Sequence, residues 1–171
     1  VSLDPCLGTG GDFAAIQVFS LPDFKQVAEW QHNKTPIQGQ VRVMHSILKE
    51  IDQQLRASGT PNPEIYWTIE NNTLGEAAIV TVDEMGEDKF PGYFLHEPRK
   101  GGQQRRVVRK GYNTTNKSKV TACSKLKAWV ETDKITLFSK PLIRELKVFV
   151  AKGNSFEAKS GEHDDLVSAL L

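Results

Sequence analysis

The sequence predicts an α/β fold in which a mixed sheet carries helices on both faces. Three observations lead there. Strand-like stretches follow one another at the start of the chain with no helical pattern between them. Beyond residue 41, helical and strand-like spacings of apolar residues alternate. The chain has 171 residues, 39% hydrophobic and 25% charged, which suits a single domain with one good core.

The elements follow in order. "VSLD" reads as a strand ending at Asp4, followed by the Gly-rich loop "PCLGTGG". "FAAIQVF" and "FKQVAEWQ" read as a pair of strands joined through Leu21-Pro22-Asp23. From Val41 to Leu55, the residues Val43, Ile47, Leu48, Ile51 and Leu55 recur at helical spacing, and Gly59 closes the helix. "EIYWTIE" is rich in β-branched and aromatic residues and bounded by Pro63 and Asn71-Asn72, so it is a strand. A helix from about Leu74 to Met85 returns the chain. "GYFLHEPRKGGQQRRVVRKGY" reads as a hairpin or long loop with Lys100-Gly101-Gly102 at its tip. Val120 to Val130 forms a helix after the polar run "NTTNKS", "KITLF" a short strand, and Leu142 to Val150 an amphipathic helix. "NSFEA" is a last strand before a terminal helix in "GEHDDLVSALL".

No apolar run is long enough to span a bilayer, and no signal-peptide pattern opens the chain. Cys6 and Cys123 do not make a disulfide framework, which points to a reducing compartment, and the four scattered histidines do not form a zinc cluster. Val1 already lies in a strand, and Leu171 ends a helix barely two turns long, so the expectation is a domain excised from a longer protein.

Charge is segregated. Ten of the 22 basic residues and none of the 21 acidic ones lie between Arg99 and Val130, leaving a net −9 on the rest of the chain. An acidic body with one strongly basic segment is an electrostatic footprint for a polyanion, although a solvated loop has the same composition.

The acids have their own pattern. Asp4 and Glu70 each end a strand, where α/β folds gather their sites. Asp12 closes the Gly-rich loop and could face Asp4 across the strand pair. Glu162, His163, Asp164 and Asp165 crowd the start of the last helix. Taken alone, acids there cap a helix and complement its dipole, Asp4 is a turn former before Pro5, and Glu70 is an exposed strand end. Brought together, they would repel one another unless cations bound between them. Hard oxygen ligands suit Mg²⁺ or Mn²⁺, two of which about 4 Å apart can drive a phosphoryl displacement. The basic segment would then hold a polyanion over a site that otherwise repels it. His163 either sits at the core edge or orients a water or phosphate.

The order "SLDPCLGTGGDFAAIQVF", "IYWTIENNTLGEAAI", "NTTNKSKVTACSKLKAWVETDKI" and "GEHDDLVSALL" resembles the nuclease domain of tailed-phage large terminases, particularly the myovirus type. The resemblance covers nearly the whole chain, and the basic stretch from Phe90 to Gly111 matches it least. It implies a ribonuclease-H-like fold over residues 1–171 and an endonuclease that cuts double-stranded concatemeric DNA with two Mg²⁺ or Mn²⁺ ions. Carried over residue by residue, the metal acids are Asp4, Glu70 and Asp165, with Asp164, Asp12 and His163 in support. Spacing does not choose between Asp164 and Asp165; the resemblance favours Asp165. Arg105, Arg106, Arg109, Lys110, Lys117 and Lys119 are the expected phosphate grip. The implied partners are an ATPase domain, a portal and a small terminase subunit at the procapsid in the host cytoplasm. "GTGGDF" lacks the lysine of an ATPase phosphate loop, so this chain should cut DNA without pumping it. The rivals are a junction resolvase or exonuclease on the same fold, a non-catalytic DNA- or portal-docking module, and, more remotely, an actin-like ATPase loop in "LDPCLGTGG".

Overall fold

A computed structural model describes residues 1–97 and 110–171. The basic residues Arg99, Lys100, Arg105, Arg106 and Arg109, and the expected hairpin tip, lie outside the described residues. A five-stranded sheet forms from β1 (Ser2–Asp4), β2 (Ala14–Ser20), β3 (Lys25–His32), β4 (Tyr66–Ile69) and β5 (Tyr93–Phe94), in the order β3-β2-β1-β4-β5. β1 pairs antiparallel with β2 and parallel with β4, so the first strand lies at the centre. β2 pairs antiparallel with β3, and β4 parallel with β5.

Because successive strand residues point to opposite faces, each strand divides its residues between two cores. Leu3, Ile16, Val18, Trp67 and Ile69 face α1 (Ile37–Ala57) and α2 (Thr73–Met85), where Val41, Met44, Leu48, Ala78 and Val82 complete the larger core. Across the sheet, Ala15 packs beneath Leu142 of α4 (Lys140–Val148) and Leu166, Val167 and Ala169 of α5 (Asp165–Leu170). Helices therefore cover both faces, as the sequence predicts.

Several boundaries differ from expectation for local reasons. α1 begins a turn early, since buried Gln40 lies on its inner stripe and ties the helix to the Gly-rich loop. The Gln40 side chain donates to the Cys6 carbonyl (2.8 Å) and the Thr35 carbonyl (2.7 Å), and it accepts from the Cys6 amide (3.2 Å). α3 (Asn116–Glu131) starts inside the polar run, where Thr115 and Ser118 cap each other's backbone amides. "KITLF" is not a full strand: only Thr136 bridges to Lys25, and the Gln26 side chain then accepts from the Phe138 and Ser139 amides. "NSFEA" does form a strand, β7 (Ser155–Ala158), but it pairs with β6 (Phe149–Lys152) in a hairpin separate from the main sheet. The flanks of the expected basic hairpin, β5 and Tyr112, both run parallel to β4, so within the described residues they are not hairpin arms. Among the described residues, no helix is long and apolar enough to cross a membrane.

Candidate active site

Strand register brings two of the acids together. Ser2 pairs with Thr68 and Leu3 with Ile69, so the next residues, Asp4 and Glu70, emerge side by side from the parallel β1–β4 pair. Leu3 and Ile69 are buried on the α1/α2 side, so Asp4 and Glu70 project to the α5 side. Glu70 is fixed by its amide on the Leu3 carbonyl (2.9 Å). α2 also approaches it closely: a Cβ on Gly75 would stand 1.9 Å from the Glu70 carbonyl oxygen, so only glycine fits there. α5 lies across β1 and β2, with Ser2 Oγ bonded to the Ala169 carbonyl, and delivers Asp165 to the same corner.

The electrostatics follow from this convergence. Burial pushes the Asp4 carboxyl well above the usual carboxylate range, and the Glu70 hydrogen bond and the charges of Glu70, Asp165 and Asp164 push it the same way. Burial also raises Asp165, as do Asp12 and Asp164, against the lowering effect of the Phe13 amide and His163. The exposed His163 ring packs edge-on against Phe13 (5.1 Å), with Nδ1 3.4 Å from Asp165 Oδ2. That contact lacks hydrogen-bond alignment, and the buried Oδ2 has no hydrogen-bond donor. Asp12 is exposed at the mouth of the site, in the loop before β2.

The acids at the start of α5 are not its caps. Asp164 occupies the N-cap position, but its side chain makes no capping bond. Asp164 Oδ2 instead accepts from the Ala158 amide (3.2 Å) and lies 3.9 Å from Lys119 Nζ. The cap comes from α4: Glu145 Oε2 accepts from the Leu166 (2.8 Å) and Val167 (3.2 Å) amides. The sequence reading missed Glu145. Its trace was a carboxylate on the inward stripe of α4, three residues after Leu142, where an apolar residue belongs.

The basic residues separate. Lys119, on α3, lies over the Phe149 ring (5.4 Å) and reaches Asp164, while Lys117 is exposed on the first turn of the same helix. Lys110 is already engaged by Asp83 (2.6 Å) and Glu87 (2.7 Å) at the far end of α2.

These donors suit a hard divalent cation. All are carboxylate oxygens, they repel one another, and Asp165 Oδ2 is buried without a partner. Among the described residues, no three His, Cys, Asp or Glu side chains already form a coordination cage.

A central parallel β1–β4 pair flanked by antiparallel β2 and β3, with acids at the strand ends under a last helix, defines the ribonuclease-H-like fold. The family model of the terminase RNaseH-like domain matches residues 1–171, and the chain belongs to that family. Solved structures similar to it include the large terminase nuclease of the thermophilic phage G20c. Its magnesium-bound form has a TM-score of 0.66 and 16% identity, over 93% of this chain and 71% of that one. The cobalt-bound form also has a TM-score of 0.66, with 15% identity over 98% and 78%. At these identities the likeness is one of fold.

Proposed function

We propose that this chain is a metal-dependent endonuclease domain that cuts double-stranded concatemeric viral DNA when genome packaging begins and ends. The observation that carries this reading is the meeting of Asp4, Glu70 and Asp165 on one sheet face, with their charges unrelieved by any described base except the edge contact of His163. The magnesium- and cobalt-bound relatives support the use of a divalent ion.

In this reading Asp4, Glu70 and Asp165 hold two Mg²⁺ or Mn²⁺ ions, with Asp164 and Asp12 in support. Bound there, such ions supply an activated water and stabilise the charge on the leaving oxygen. The chain's own residues do the rest. His163 stands beside Asp165 on the solvent side. Lys117 and Lys119, with Arg105, Arg106 and Arg109, offset the repulsion between the acids and the phosphodiester. The chain works beside an ATPase domain, a portal and a small terminase subunit at the procapsid in the host cytoplasm.

The test is a supercoiled-plasmid assay with Mg²⁺ or Mn²⁺ against EDTA, run beside Asp4→Asn and Asp165→Asn. Metal-dependent nicking and linearisation, lost in both variants, is the expected result. An intact plasmid in both metals, or variants that cut as well as the parent, would sink the proposal. Preferential cutting of a four-way junction would point to a resolvase instead.

A further inference from the structure

We infer that Glu145 is a positioning residue for the metal-binding acid Asp165, acting through the backbone of α5; this rests on the function proposed above. An α-helix leaves its first amides without internal partners, and a residue at its start normally caps them. In α5 the first internal bond runs from the Ser168 amide to the Asp164 carbonyl (2.8 Å), leaving the amides of Leu166 and Val167 to be satisfied from outside. One oxygen of Glu145 takes both, at 2.8 and 3.2 Å.

The consequence concerns Asp165 directly. Two bonds from consecutive amides to one buried oxygen fix both the rotation of α5 about its axis and its distance from α4. One residue earlier, Asp165 leaves the helix toward Asp4 and Glu70. A slip of one residue would turn it by about 100° and carry its carboxylate off the site. Glu145 is itself held: its other oxygen accepts from Gln31 Nε2 (3.1 Å) on β3, and its side chain is buried beside Leu142. β3, α4 and α5 are thus joined through one carboxylate, and Asp164 and Asp165 keep their own oxygens free of capping. An aspartate that capped its own helix would spend on the backbone the oxygen a cation needs.

Reach and charge can be separated. Glu145→Gln keeps the length and still accepts from both amides, but loses the charge. Glu145→Asp keeps the charge but falls short by about 1.5 Å, one carbon–carbon bond. The measurement is Mn²⁺ binding by the purified domain, by calorimetry at a temperature where each protein is folded, with plasmid kinetics beside it. Glu145→Gln is expected to keep the parent's Mn²⁺ midpoint. Glu145→Asp should raise that midpoint at least about tenfold and lower kcat with KM for DNA unchanged, the scale seen when residues behind metal ligands are altered. Gln31→Leu, at a half-buried position, frees the other oxygen and should raise the midpoint by about threefold, a smaller version of the same effect.

A parental midpoint in Glu145→Asp, or a Glu145→Gln protein as weak as Glu145→Asp, overturns the inference. If Glu145→Asp does not fold, a parental midpoint in Gln31→Leu overturns it instead. A parent that binds no Mn²⁺ overturns the proposed function as well, which separates that failure from the failure of the positioning role alone.

Discussion

On one face of the sheet, Leu3, Ile16, Trp67 and Ile69 meet Met44, Leu48 and Val82. On the other, Ser2, Asp4, Gln17 and Glu70 meet Glu145, Asp165 and the small apolar cluster beneath α4 and α5. The strands are shared, so alternate residues of one segment are selected for different ends. The first face removes large apolar side chains from water, which stabilises the domain by roughly 25 cal/mol per Å². The second keeps mutually repelling carboxylates in a partly buried corner, an arrangement that costs stability and makes sense at a functional site.

Substitutions that exchange stability for activity give the largest expected effects. Asp4→Asn should cut plasmid cleavage at least about a thousandfold while the metal-free protein melts no lower than the parent. Leu48→Ala, on the opposite face, should cost about 2–5 kcal/mol in urea unfolding and leave kcat per folded molecule unchanged. Loss of stability in the first, or selective loss of kcat in the second, would break the division between the faces.

A pH series sharpens the same contrast. Asp4 titrates well above its usual range in the folded chain, through burial and the neighbouring acids, so the folded state holds its proton more tightly than the unfolded one. Its contribution to stability is therefore complete below the unfolded value near pH 4 and is lost as pH rises through the raised folded value. The metal-free domain should weaken over that window, and Asp4→Asn should flatten the slope and be the more stable of the two at pH 8. Urea unfolding at pH 5 and pH 8 checks this. An unchanged slope in the variant would mean that the acids do not destabilise one another.

The two faces were unequally legible in the sequence. The apolar face announces itself through periodicity: Leu48, Ile51 and Leu55 recur as a helix, and "YWTI" can only be a strand. The acids at the ends of β1 and β4 were visible as strand ends, yet their meeting depends on the register of a parallel pair separated by more than sixty residues in sequence. Polar residues that serve the fold were read wrongly for one reason. Gln40 on α1, Thr115 before α3 and Gln26 beneath "KITLF" each replace a backbone partner, so apolar patterning places the element boundary at the wrong residue. The same blindness made Asp164 and Asp165 look like caps, because nothing in the local sequence reveals that Glu145 reaches across from another helix.

The smallest effect separates two lysines that composition treats alike. Lys110 is tied to Asp83 and Glu87 in partly exposed ion pairs, each worth about 0–1 kcal/mol, on the α2 side of the molecule. Lys119 stands 3.9 Å from Asp164 beside the acid corner, where a phosphate would arrive. Each phosphate contact made by a lysine releases condensed counterions, so losing one lowers the salt dependence of duplex binding by about one unit of log–log slope. Lys119→Ala should show that reduction, measured by anisotropy on a duplex in the cleavage-deficient Asp4→Asn background. Lys110→Ala should leave both affinity and slope near the parent's. If Lys110→Ala lowers the slope as much as Lys119→Ala does, then the DNA runs over the α2 end as well, and contact with the polyanion is not confined to the acidic face.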